Sequence, residues 1–222
     1  MTVWQEWLHH PEKCGVRNAF FQVHLWLGVV VGMYVVLMSV SGSVIVYRNE
    51  LFVMGFSVER IVDLHANLLA GSTGRFVNGI GAVCLTLICL TGSVIWWPGA
   101  THWRRSLGVE WQAHFARINW DLHSALGFWC FVFVLVWGFS GIYLSFPQPF
   151  DVLFLLDPAD HFVNEGLFRL TQLHFGRFGW FSEAVWALVG LVPTVLALTG
   201  MFICCRRVIY KKPSNPRNRI VS

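Results

Sequence analysis

Charge is what this sequence has least of. Only 13% of its 222 residues are Asp, Glu, Lys or Arg, against 55% hydrophobic, and the mean hydropathy of +0.57 lies outside the range of a soluble domain. The lipid bilayer is therefore the first solvent to consider. Other absences narrow the chemistry. The six cysteines form no disulfide framework: Cys84, Cys89 and Cys130 sit in apolar runs, and Cys14, Cys204 and Cys205 beside basic segments. No Cys-x-x-Cys-His motif offers covalent attachment to a c-type haem. No G-x-G-x-x-G fingerprint is present, so a nicotinamide or flavin electron donor would belong to a partner. The apolar stretches lack the central carboxylates that an ion-coupled transporter needs, since Glu183 lies near an end. The polar start, MTVWQEWLHHPEKCGVRN, has neither the basic region nor the short apolar core of a cleavable signal, so the first apolar stretch is expected to remain as a helix.

What is there is a set of four apolar stretches, 21–47, 76–97, 122–146 and 182–205, each as long as the ~20 residues a membrane span requires. Trp96, Trp97 and Pro98 close the second, Pro147 closes the third, and Pro193 predicts a kink in the fourth. The N-terminal segment, the loop between the second and third stretches and the tail hold most of the 16 basic residues. The other two loops hold Arg48, Arg60, Arg75, Arg169 and Arg177, so the positive-inside rule places both termini in the cytoplasm. The basic tail, 206–222, reads as a topogenic signal. The expectation is one all-α integral membrane domain over 1–222 with four transmembrane helices.

The sequence also repeats. His24-Leu-Trp-Leu27-Gly28 recurs as His123-Ser-Ala-Leu126-Gly127, and at the same offset Ser41-Gly42 recurs as Ser140-Gly141. Leu90-Thr91-Gly92 recurs as Leu198-Thr199-Gly200, and Leu64-His65 matches Leu173-His174 with a one-residue slip. Two spans per unit preserve orientation, so repeat one (about 17–99) and repeat two (about 117–207) are expected to form two duplicated helical hairpins about a pseudo-two-fold axis along the membrane normal. Equivalent residues then meet at equal depth. His24 would face His123 near the cytoplasmic side, and His65 would face His174 near the outer side.

Paired neutral imidazoles on opposite faces of a haem iron make a six-coordinate, electron-transferring site, so the pairs point to two b-type haems with His24, His123, His65 and His174 as axial ligands. Gly28, one turn from His24, leaves room for a flat macrocycle, and Gly42, five turns along, is expected to do the same for the second haem. Packing is the competing reading of these glycines, since Gly28-x-x-x-Gly32 is a small-xxx-small motif. Zinc fits less well, because its structural sites gather four ligands tetrahedrally. His9, His10, His102, His114 and His161 have no repeat partner and read as surface residues. Arg75 and Arg177 near the outer pair, and Arg17 and Arg117 near the inner, suit either haem propionates or interface anchoring.

With FFQVHLWLG, LHANLLAGSTGR, LTGSVIWWPG, NWDLHSALGFW and LHFGRFG in place, the sequence resembles the PepSY-associated transmembrane (PepSY TM) family, which includes bacterial inner-membrane ferric-siderophore reductases. The resemblance implies a di-haem conduit in the bacterial cytoplasmic membrane that carries electrons outward to ferric iron or a ferric chelate, with the same four histidines as ligands. The outer loops here are short, which leaves little room for a chelate-holding cavity. The apolar segment 150–156 suits docking on another protein. The alternative to an independent electron carrier is a haem-binding accessory subunit of a larger membrane complex. The partners expected are membrane lipid and either a protein partner or a separate electron donor, with no nucleic acid.

Overall fold

The computed structural model describes residues 7–9, 11, 15–100, 103–153 and 161–209. Among these the chain is helical throughout, with no strand. The helices are α1 (Gly15–Ile45), α2 (Arg48–Val53), α3 (Glu59–Asn67), α4 (Gly71–Trp96), α5 (Phe115–Trp129), α6 (Phe131–Ser145), α7 (Pro147–Leu153), α8 (His161–Phe175), α9 (Trp180–Gly190) and α10 (Val192–Ile209). A 3₁₀ turn at Trp103–Leu107 lies between α4 and α5.

Three segments are long and apolar enough to cross a membrane: Gly15–Ile45, Gly71–Trp96 and Trp180–Arg207. The pair α5 and α6 makes a fourth if counted as one span, but it is bent by 65°. The sequence gives no proline for this bend. At the junction Cys130 N–H still reaches Leu126 O at 2.9 Å and Val134 N–H reaches Cys130 O at 3.0 Å, so few backbone bonds are given up there.

The packing is that of a membrane protein, with small residues inside and large ones outside. Most buried positions are small: Gly32, Ser39, Ser41 and Ser43 on α1, Gly79, Gly81, Ala82 and Thr91 on α4, and Gly138 and Ser140 on α6, beside Val35 and Val134. Trp26, Val30, Met33, Val132 and Leu188 face outward. In lipid, apolar bulk gains nothing from burial, and helices associate where small side chains let backbones approach. At Gly138 an added Cβ would stand 2.5 Å from Thr86 Oγ1, so α4 and α6 meet almost backbone to backbone.

Near Pro193, where a kink is expected, the helix is interrupted at Leu191, between α9 and α10. Ser39 of α1 is inserted into the broken rung. Thr194 N–H donates to Ser39 Oγ at 3.1 Å, and Ser39 Oγ–H donates to Gly190 O at 2.5 Å. One hydroxyl thus stands in for the missing backbone bond where no water can.

Candidate functional site

The four repeated histidines come together in two pairs. His24 (α1) and His123 (α5) have ring centres 6.3 Å apart, and His65 (α3) and His174 (α8) have ring centres 6.3 Å apart. His9 and His114 are exposed, and the His114 ring caps α5 by accepting from Arg117 N–H at 3.2 Å. His10, His102 and the His161 side chain lie outside the described residues. Among the described residues no group of three or more His, Cys, Asp or Glu converges, so a zinc-type cluster is absent from that set.

Each imidazole is held in the same way. Nδ1 of His65 lies 3.0 Å from Ser41 Oγ, Nδ1 of His174 lies 2.6 Å from Ser140 Oγ, and Nδ1 of His123 lies 2.8 Å from Thr199 Oγ1. Nδ1 of His24 lies 3.0 Å from Ile88 O and 3.3 Å from Thr91 Oγ1. All four hydroxyls also sit against the carbonyl four residues earlier, at 2.7 Å for Ser41, 2.7 Å for Thr91, 2.6 Å for Ser140 and 2.7 Å for Thr199. A hydroxyl has one proton to give. Donated to the helix carbonyl, it leaves the oxygen as an acceptor, so the ring must carry its proton on Nδ1. Nε2 then holds a lone pair. Among the described residues no hydrogen bond reaches Nε2 of any of the four.

The small residues beside these hydroxyls have a role the sequence pattern did not reveal. A Cβ on Gly42 would stand 3.0 Å from His65 Cε1, on Gly92 3.1 Å from His24 Cε1, and on Gly200 3.2 Å from His123 Cε1. Ser41-Gly42, Thr91-Gly92 and Thr199-Gly200 are therefore seats for imidazoles, in which the hydroxyl fixes the tautomer and the glycine admits the ring. Gly42 makes room for the His65 ring, a use its spacing along α1 did not suggest. Gly141, by contrast, faces Ala82. Gly28 and Gly127 border open space, with nothing within 4 Å of a Cβ on Gly28 and only Leu196 Cδ2 at 3.9 Å for Gly127.

Burial pushes the His65 imidazole down to about 4. It pushes His174 down to about 3, helped by His65 opposite. Both rings are neutral at ordinary pH. His65 is further fixed through its backbone. Asn78 Nδ2 donates to His65 O at 2.8 Å and Ala66 O at 3.0 Å, which satisfies the orphan carbonyls at the end of α3. Tyr34 O–H donates to Asn78 Oδ1 at 2.7 Å and locks that amide.

The arginines divide. Arg75 Nη2 donates to Leu144 O at 2.5 Å, and Arg17 Nη2 to Ile95 O at 2.9 Å, each closing the last turn of a neighbouring helix. Arg117 ion-pairs with Asp121 at 2.9 Å. Arg177 and Arg48 both lie over the Phe175 ring, at 5.7 and 5.8 Å, beside His174. Phe150 packs on Phe139 and Tyr143 of its own chain, and residues 154–156 of that segment lie outside the described residues.

No solved structure matches this chain. A Pseudomonas aeruginosa protein described as uncharacterized protein PA4219 is 30% identical over 88 residues, which is 38% of this chain and 21% of that protein, so the chain spans about a fifth of its relative's length. Residues 53–161, which include His65 and His123, match the family described as PepSY-associated TM region. Multi-pass apolar helices and this match agree, and over residues 53–161 the chain is similar to the PepSY-associated TM family.

Proposed function

We propose that this protein is a transmembrane electron carrier that binds two b-type haems, one between His24 and His123 and one between His65 and His174. The observation that carries the reading is the ring separation of 6.3 Å in both pairs. Two imidazoles bound to one metal ion from opposite sides, each at about 2 Å and with its ring centre about 1.1 Å behind the nitrogen, hold their centres about 6.2 Å apart. The donor set fits as well. Four Nδ1–H groups are anchored and four Nε2 lone pairs are free, the arrangement by which a protein fixes an imidazole ligand's tautomer and direction. Open space beside Gly28 and Gly127, one turn from the ligands, suits a flat macrocycle.

Held by the paired histidines, haem would supply one-electron exchange. The chain's residues do the rest. The four histidines fix two levels, the serines and threonines hold the rings, and the apolar helices keep water away. In this reading the two repeats are related by a pseudo-two-fold axis, because each histidine seat lies within its own repeat while each pair joins the two. With both termini in the cytoplasm of a bacterial inner membrane, electrons pass from the His24 level to the His65 level and on to ferric iron or a ferric chelate.

The test is a reduced-minus-oxidised spectrum of freshly prepared membranes carrying the protein, where a b-type α-band is expected. Its absence overturns the haem reading. A second expectation concerns the seats. Thr199→Val keeps the shape but removes the acceptor of His123 Nδ1–H, and haem affinity at that level should fall by about 10–100-fold. Titration with haem measures it, and Thr199→Ser should restore it. Equal affinity in all three proteins would mean the hydroxyl does not orient the ligand.

A further inference from the structure

One end of the bundle has more hydrogen-bond donors than it can use. Arg17 Nε, Trp96 Nε1, Trp97 Nε1 and Asn119 Nδ2 are buried and without partners. All four are donors. Asn119 is only 8% exposed. An unsatisfied buried donor loses its hydration without return, at a cost that native structures rarely tolerate once, let alone four times in one region.

The four lie on the elements that carry or seat His24 and His123, one to two turns from them. Arg17 lies two turns before His24 on the same face of α1, and Asn119 lies one turn before His123 on the same face of α5. Trp96 and Trp97 follow Thr91 and Gly92, which seat His24, by about one turn at the end of α4. Phe128 stacks on Trp96 at 4.4 Å and fixes its indole, and Arg17 Nη2 is held on Ile95 O. The nearby buried carboxylate is taken: Asp121 accepts from Arg117 Nε at 2.9 Å and from Glu110 N–H at 3.4 Å. The missing acceptor must therefore come from outside the chain's own described residues. It must be rich in oxygen, and a cation among its donors favours an anion.

We infer that Arg17, Trp96, Trp97 and Asn119 hold the propionate carboxylates of the haem at His24 and His123, which sets that haem's rotational position and points its acidic edge toward the end of the bundle that carries Gly15 and Arg207. This rests on the di-haem reading above. A porphyrin bound between these two imidazoles has two carboxylates at one edge, within reach of residues one to two turns away along the ligands' own helices.

The experiment uses the holoprotein, with redox titration of each haem and the rate of haem transfer to a scavenging apoprotein. Arg17→Leu removes a cation and should lower the midpoint potential of one haem only, because the remaining negative charge opposes an added electron. Asn119→Leu and Trp97→Phe should each speed loss of that same haem, by about tenfold for each charge-assisted bond removed. Arg17→Lys, which keeps the charge but loses Nε–H, guards against a folding failure and should lower the potential less than Arg17→Leu. Exchange of the dimethyl ester of haem b into the wild type should give faster loss from this site, and Asn119→Leu should then make no further difference. Unchanged potentials and loss rates in the variants, or changes confined to the haem of His65 and His174, overturn the inference. A wild type that holds no haem overturns the di-haem reading itself.

Discussion

Alanine at His24 should leave the protein with one of the two proposed haems, and alanine at His123 should do the same. The partner ring is then left without a second ligand, and its seat can supply one bond but not the opposed pair that a low-spin iron requires. The geometry makes the expectation specific to pairs. The two rings of each pair have their centres 6.3 Å apart, and each ring's seat belongs to a different helix from its partner's: Thr91 with Ile88 on α4 for His24, and Thr199 on α10 for His123. Removing one ring leaves the other seat intact, so the remaining level should keep its spectrum. The double replacement His24→Ala with His123→Ala should therefore cost no more haem than either single one. His24→Ala with His65→Ala should leave none. The haem-to-protein ratio in purified protein, read from the α-band, separates these outcomes. Retention of one haem in the His24 and His65 double variant would refute the pairing.

The histidine pairs were legible in the sequence because similar short stretches recur around them, and the matching histidines lie with ring centres 6.3 Å apart. The spans were legible for a simpler reason: about 20 apolar residues in a row admit few other solutions. Less legible was the use of each small residue. Ser41-Gly42 and Thr199-Gly200 showed in the sequence as repeated dipeptides, but which ring they receive depends on how neighbouring helices lie against each other, and spacing along one helix cannot supply that. Asn78 gave no signal at all. Its work is to end α3 by way of two carbonyls 12 and 13 residues earlier, a contact created by the turn. The 65° bend between α5 and α6 was hidden for a similar reason, since neither proline nor a break in hydropathy marks Cys130. The arginines were legible as a set near the site but not one by one. Arg75 closes a helix, Arg117 pairs with Asp121, and only Arg17 keeps a buried donor without a partner.

Gly74→Ala should remove the haem of His65 and His174 while leaving that of His24 and His123. After α3 the chain reverses through Leu68 and Leu69, both in the left-handed region at φ 49 and 59. For residues with a Cβ this conformation costs roughly 1–2 kcal/mol each, and it persists only because the surroundings hold it. The turn presses the end of α3 onto the first turn of α4. A Cβ on Gly74 would overlap the carbonyl oxygen of Asn67, stand 2.7 Å from its carbonyl carbon and 3.1 Å from Ala70 Cβ. These neighbours include backbone of the same turn, so no side-chain rotation relieves the clash, and α3 must move. Overpacking of this kind costs about 1–3 kcal/mol even in cores that can adjust. His65 lies two residues before Asn67 and moves with it, away from Ser41 Oγ and out of line with His174. The change sits beyond the other level, whose seats on α4 and α10 lie at Thr91 and Thr199. Gly28→Ala is the contrasting variant for the apoprotein's packing, since a Cβ there meets nothing within 4 Å. The measurement is the haem-to-protein ratio with the thermal midpoint of the detergent-solubilised protein. A Gly74→Ala protein that keeps both haems at an unchanged midpoint would show that the α3–α4 turn does not position His65.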